Sequence, residues 1–162
     1  MINLKTHTEF SFRYAYGKIQ DIISNCKEVA CITDRNTTFG HIPFWNECKK
    51  QGKKCILGVE LYFVSNATLK VRQSGYWVTL LARNSKGLKK IYELTSKATE
   101  QKYYVPRLGF DELQRIDPSD VVIIFTDSEM GKYLMGRANT LYGISPLSNE
   151  CDYLKQQFHF NM

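Results

Sequence analysis

Apolar and polar residues succeed one another in blocks that predict strands and helices in turn. The central blocks predict a buried strand at Ala30–Thr33, a helix from about Phe39 that stops at Gly52, and a second apolar strand at Cys55–Phe63. The same patterns predict a short strand ending at His7, helices at Lys18–Lys27, Asn84–Ala98, Phe110–Gln114 and from Asp127, and strands at Tyr76–Ala82 and Val121–Phe125. Strands that alternate with helices indicate an α/β fold with mostly parallel pairing.

Polar residues stand where several predicted strands end, and this suggests a site. His7 and Asp34 each follow a strand, and Glu60 lies inside an otherwise apolar strand. A carboxylate buried without a partner costs several kcal/mol, so Glu60 requires a cation or a hydrogen-bond donor. We expect neighbouring parallel strands to deliver Asp34 and Glu60 to one end, or to the interior, of the sheet.

Composition limits the class of protein without identifying it. A chain of 162 residues with 43% hydrophobic content is expected to form one domain with a real core. Its five cysteines lack the spacing of zinc sites, and we expect free thiols in a reducing compartment. No signal region or membrane-length apolar stretch is present, so the sequence predicts a soluble cytoplasmic protein without membrane contact.

The net charge of +6 permits contact with nucleic acid but does not require it. Candidate phosphate contacts are the lysines that crowd two predicted helices: Lys49, Lys50, Lys53, Lys54, Lys89 and Lys90. The alternative is that these lysines form ordinary solvated helix surfaces. Tyr103 and Tyr104, beside Lys102 and Arg107, similarly suggest either a base-stacking platform or a structural loop.

Several motifs in order resemble the polymerase-and-histidinol-phosphatase (PHP) domain, most nearly the one that begins the bacterial replicative DNA polymerase III alpha subunit. They are H-T-E-F-S from His7, C-I-T-D-R-N-T-T-F-G from Cys31, C-I-L-G-V-E-L-Y from Cys55, Y-W-V-T-L-L-A-R-N-S-K-G from Tyr76, Y-Y-V-P-R from Tyr103 and V-V-I-I-F-T-D-S from Val121. The resemblance implies a distorted β/α barrel, here truncated to about five of seven strands. It suggests a PHP-like domain over residues 1–136 and a tail over 137–162, and either this tail docks on the barrel or another chain closes it.

Active members of this family hold up to three metals and hydrolyse phosphoesters, and the resemblance shows where this chain departs from them. His7, Asp34 and Glu60 stand at retained positions of the family's motifs. Lys5 and Arg35 replace histidines, and two later ligand positions hold Trp77 and Ser128. We interpret the site as a remnant in which Lys5 and Arg35 replace the metal's charge, with no cofactor expected. The alternative is a single zinc, manganese or iron ion on the three retained residues.

These observations support three hypotheses. The first is a non-catalytic PHP-like module that acts by protein contact in or against DNA replication, as an accessory subunit or a mimic. Its partner would be a protein of the replication machinery, in the host cytoplasm if a phage encodes the chain. The second is a metal-dependent phosphoesterase or 3′–5′ exonuclease with a reduced site, and the third is a small basic nucleic-acid-binding protein.

Overall fold

The computed structural model describes residues 3–125, which form four helices and five strands in mixed order. The helices are α1 (Ile19–Ser24), α2 (His41–Lys50), α3 (Ser85–Glu100) and α4 (Asp111–Gln114). The strands are β1 (Val29–Arg35), β2 (Lys54–Val64), β3 (Gly75–Ala82), β4 (Leu108–Gly109) and β5 (Val121–Phe125). The predicted α/β class is confirmed. Ser128, the helix predicted from Asp127 and the tail 137–162 lie outside the described residues.

The five strands form one sheet, in which β1, β2, β3 and β5 are neighbours in that order. The short strand β4 also pairs with β2, at Phe63 and Val64. β1 and β4 run parallel to β2, whereas β3 is antiparallel to both β2 and β5. Four of the five strands therefore point the same way, and β3 alone opposes them. Within residues 3–125 the sheet is not closed, which is consistent with a truncated PHP-like barrel.

Helices cover one face of this sheet and create two clusters of apolar side chains. Alternate residues of β2, β3 and β5 pack against α3, and the cluster includes Leu61, Leu80 and Ile91. A second cluster joins β1 to α1 and α2 through Ile32 and Phe44. Side chains on a strand alternate between its faces, so the intervening residues point to the face opposite these helices.

The helix ends follow from local residues. Asn84 caps α3, where its Oδ1 accepts the backbone N–H of Gly87 at 2.9 Å, as its position in the sequence predicts. Gly52 follows α2 with φ of +66°, a conformation that glycine adopts without steric cost. No helix within residues 3–125 has the length and apolar character needed to cross a membrane.

The N-terminal segment is not the strand that its alternating pattern predicts. Residues 3–8 lie beside β1 but do not form a regular ladder of backbone hydrogen bonds with it. The Thr33 N–H donates to the Thr6 carbonyl at 2.8 Å. The Thr6 N–H instead donates to Oγ1 of Thr33 at 2.8 Å. Side-chain acceptors on β1 thus take the hydrogen bonds that a partner strand's carbonyls would otherwise accept.

Candidate functional site

The register of β1 and β2 decides which candidate residues meet. Arg35 pairs with Glu60, and Asp34 pairs with Val59. Residues paired in a parallel register share a face, so Arg35 and Glu60 lie on the face opposite the helices, whereas Asp34 lies on the helix-covered face. The two carboxylates are at the same end of the sheet, as the sequence predicts, but the structure does not bring Asp34 to Glu60.

Asp34 holds the N-terminal loop against β1. Its side chain is buried, and Oδ1 accepts the Thr8 N–H and the Ser11 hydroxyl, both at 2.6 Å. Oδ2 accepts the Thr8 hydroxyl at 2.7 Å. The close approach of Gly40 completes the enclosure, because a Cβ there would lie 2.8 Å from Oδ2. Neutral donors therefore satisfy Asp34, and its role in this structure is to fix the loop that carries His7.

Glu60 is the centre of a cluster that we call the Glu60 cluster, formed with the Lys5 ammonium, the His7 imidazole and the Arg35 guanidinium. The Glu60 side chain is fully buried, and Lys5 Nζ lies 2.6 Å from Oε1. Arg35 Nε donates to Oε2, and His7 Nε2 lies 3.3 Å from the same oxygen. Both carboxylate oxygens thus face cationic or imidazole nitrogens.

The charge state of Glu60 follows from two opposing effects. Burial alone raises the pKa of this carboxyl because it disfavours the charged form. The hydrogen bonds from His7, Lys5 and Arg35 outweigh burial and lower the pKa from 4.5 to about 2. Glu60 is therefore a carboxylate at neutral pH, stabilised by its neighbours.

Aromatic rings hold Arg35 in place. Its guanidinium lies 4.4 Å from the ring centre of Tyr14 and 4.5 Å from that of Trp77. Trp77 also contacts Tyr62, its register partner on β2, with 5.1 Å between ring centres. Cation–π contacts on two rings restrict the guanidinium, so Arg35 is oriented toward Glu60.

The residues around Glu60 do not fit a metal centre. Within residues 3–125, no three or more His, Cys, Asp or Glu side chains are grouped so that they could hold a metal ion. His7 is beside Glu60, but Asp34 is committed to Thr8 and Ser11, and two permanent cations adjoin the carboxylate. Metal ligands must present lone pairs, which an ammonium and a guanidinium lack.

The candidate phosphate-binding lysines lie on α2, on β2 and the turn before it, and on α3. Lys53 donates to the carbonyl oxygens of Ile23 and Cys26, the latter at 2.6 Å, at the C-terminal end of α1. Lys50 and Lys90 form exposed i,i+3 ion pairs with glutamates, and Lys49 lies 5.3 Å from the ring centre of Trp45. Lys54 and Lys89 are exposed. Lys53 is therefore a structural residue, and the others are surface cations on separate elements.

Sequence reasoning missed several residues that shape the site. Thr8, Ser11 and Tyr62 lie within the motifs quoted above but were assigned no role, and Tyr14 lies in none of them. His41 at the start of α2, to which the sequence assigns no functional role, is buried, and its Nε2–H donates to the Gly58 carbonyl at 2.8 Å. Its spacing from the buried residues of α2 was a usable signal, because positions three and seven residues later share the same helix face.

Comparison with known proteins found a matching family model and several curated relatives. A family model described as PHP domain matches residues 3–149. A DNA polymerase III subunit alpha of Borreliella burgdorferi is 36% identical over 124 residues, covering 70% of this chain and 11% of the relative. The subunits of Aquifex aeolicus (28% over 129 residues, 70% of this chain and 11% of the relative) and Helicobacter pylori (33% over 114 residues, 66% and 9%) are also similar. The chain spans about a tenth of the length of these curated relatives.

Proposed function

The chain belongs to the PHP domain family, and from that premise we propose that it is a non-catalytic module that acts by protein contact in or against DNA replication. The similar proteins are DNA polymerase III alpha subunits, which supports a replication setting. Because the chain matches about a tenth of each relative, the proposal concerns a module and not a polymerase. Its place of action would be the cytoplasm, of a host cell if a phage encodes it.

The observation that carries the proposal is the Glu60 cluster. Hydrolysis of a phosphoester by metal ions requires open coordination positions beside the reacting group. At Glu60, Lys5 and Arg35 already neutralise the carboxylate, and Trp77 packs against the Arg35 guanidinium. This neutralisation of Glu60 by side chains of the same domain supports a role other than metal-dependent hydrolysis.

Protein contact is supported by an apolar surface on α2 and the turn before it. Phe39 lies in that turn, two residues before the helix begins, whereas Ile42 and Trp45 lie on α2, and the three side chains are 81%, 66% and 47% exposed. Ile42 and Trp45 are three residues apart and share one side of the helix. Three large exposed apolar side chains within seven residues are more than isolated surface residues. Lys49 and Lys50 follow on the same helix. The surface fits a partner segment that combines apolar side chains with carboxylates.

A binding experiment tests the contact. The chain is mixed with purified DNA polymerase III subunits of the organism in which it occurs, and complexes are measured by size-exclusion chromatography with light scattering. The double variant Ile42→Ser/Trp45→Ser should bind at least about tenfold more weakly, since two apolar anchors are removed. Tyr16→Ser, which removes an exposed ring outside this surface, is the control. If the chain forms no complex with any of the subunits, the proposal is refuted.

Elemental analysis and an exonuclease assay test the absence of catalysis. Protein purified without chelator should contain far less than one zinc, manganese or iron per chain and should release no nucleotides from labelled single-stranded DNA. Near-stoichiometric metal that disappears in His7→Ala, together with 3′–5′ degradation, would instead establish the enzyme hypothesis.

A further inference from the structure

A cleft of about 610 Å³ lies between the β2–β3 pair and the loop that follows α3. Tyr62 and Trp77 line it from the sheet, Tyr103 and Tyr104 from the loop, and Arg72 from the segment that joins β2 to β3. A volume of this size falls within the range of sites for small organic ligands. The Glu60 cluster shares only an indirect contact with the cleft, through Arg35 and Trp77.

Arg107 fixes the walls of the cleft relative to each other. It is buried, and its guanidinium donates to the carbonyl of Val71 at 3.0 Å and to that of Leu69, in the segment that carries Arg72. The same guanidinium lies 4.9 Å from the ring centre of Tyr103. Its Nε has no acceptor within the described part of the chain, so a buried donor remains beside the cleft. The cleft is thus held open by specific bonds.

Tyr104 combines an exposed side chain with a backbone conformation that is rare for a residue of its type. Its side chain is 83% exposed, and its backbone has φ of +62°, a region that bulky residues rarely adopt. Paired hydrogen bonds between Tyr103 and Val105 hold this turn closed, at 3.2 and 2.8 Å. Because the ring is exposed, its burial does not offset the strain of the turn. Residues held in strained backbone conformations concentrate where ligands are bound.

The chemistry of the lining indicates the ligand class. Four aromatic rings offer stacking surfaces, Arg72 is an exposed cation, and no residue that lines the described cleft is acidic. Planar rings stack on tyrosine and tryptophan regardless of base identity, and phosphate pairs with guanidinium. We propose that this cleft binds a nucleoside phosphate, either as a free nucleotide or as one unit of a single strand, with the base on Tyr104 and the phosphate near Arg72.

Titration of intrinsic tryptophan fluorescence tests the proposal, because Trp77 lines the cleft. The probes are thymidine monophosphate and a ten-nucleotide oligothymidylate, with thymidine to report the phosphate contribution. We expect saturable quenching that weakens at least about tenfold in Tyr104→Ala and is retained in Tyr104→Phe. Tyr16→Ala is the matched control, because Tyr16 is 87% exposed and lies outside the cleft.

Each outcome has a defined meaning. Saturation by the monophosphate supports a free-nucleotide site, and saturation by the oligonucleotide alone supports a single-strand site. In the second case Arg72→Ala should lower the slope of log affinity against log salt by about one. Absence of saturation with both probes, or equal weakening in Tyr104→Ala and Tyr16→Ala, would overturn the proposal. Tyr104→Gly, which relieves the backbone, keeps the result interpretable if Tyr104→Ala folds poorly.

Discussion

Replacing Glu60 with glutamine provides a quantitative test of the Glu60 cluster. The substitution keeps the length and shape of the side chain but removes the charge that faces Lys5, His7 and Arg35. The folded-state pKa of about 2 lies below the ordinary 4.5, so Glu60 stabilises the fold above pH 4.5 and loses that contribution as pH falls toward 2. Each pKa unit corresponds to ~1.4 kcal/mol, which makes the contribution about 3 kcal/mol at pH 7.

Urea unfolding measures this contribution directly. With a slope of about 1.5 kcal/mol per molar urea, typical of small domains, Glu60→Gln should lower the midpoint by about 2 M at pH 7. At pH 3 the same linkage leaves a difference between the parent protein and the variant of about 1.4 kcal/mol. Comparison with the variant removes the effect of other carboxylates, because those titrate in both proteins.

The control is Glu93→Gln, since Glu93 is more than half exposed and its carboxylate lies 3.9 Å from Lys90 Nζ. Exposed pairs of this kind contribute about 0.5 kcal/mol or less. Equal losses of stability in the two variants would contradict the reasoning. So would a Glu60→Gln effect that is as large at pH 2.5 as at pH 7, because the carboxylate's charge would then not be its source.

Three further substitutions test the packing beside the site. Asp34→Asn should reduce the free energy of unfolding by about 2 kcal/mol, measured in urea, because the amide cannot accept all the donors that Thr8 supplies to the carboxylate. Gly40→Ala should lower the melting temperature by several degrees, about 1–3 kcal/mol, since its Cβ would lie 2.8 Å from Asp34 Oδ2, and an unchanged melting curve would refute this contact. Burial lowers the pKa of His41 below 6.5, so protonation of the unfolded chain should reduce stability as pH falls below 6.5. In His41→Gln, whose amide can still donate to the Gly58 carbonyl, that part of the pH dependence should disappear from urea curves recorded between pH 7 and 5.

The sequence predicted most strands and helices to within three residues of their ends because apolar runs and capping residues are local signals. β1 extends to Arg35 rather than Thr33, and α2 begins at His41 rather than near Phe39. The direction of β3 is not a local signal, because it depends on how the segment after Val64 returns to the sheet. The alternating N-terminal residues predicted a strand that does not form, and the reason is also not local. Their backbone N–H groups donate to side chains of β1 instead of to the carbonyls of a partner strand.

At the site, the sequence indicates which charges must be balanced but not which face of the sheet each side chain occupies. Asp34 and Arg35 are adjacent in the chain and therefore point to opposite faces of the sheet. The register between β1 and β2 places Arg35, and not Asp34, on the face of Glu60, and a register shifted by one residue would reverse this. Tyr14 contacts Arg35 from a loop, and a periodic pattern of apolar residues does not predict where a loop side chain lies. Register and loop geometry are properties of the whole fold, and they account for what the sequence left undetermined.

The Glu60 cluster also restricts how this sequence can evolve. Three side chains depend on one buried carboxylate, so loss of Glu60 leaves the Lys5 and Arg35 cations without the charge that neutralises them. Loss of Arg35 leaves the carboxylate with fewer donors and leaves the rings of Tyr14 and Trp77 without their cation. Single replacements are therefore costly even when a paired replacement would be tolerated. A histidine introduced at position 35 would meet Trp77 in the space beside it, and Lys5 would still face the carboxylate. Substitutions in this cluster are therefore epistatic, because each of its side chains limits which replacements the others tolerate.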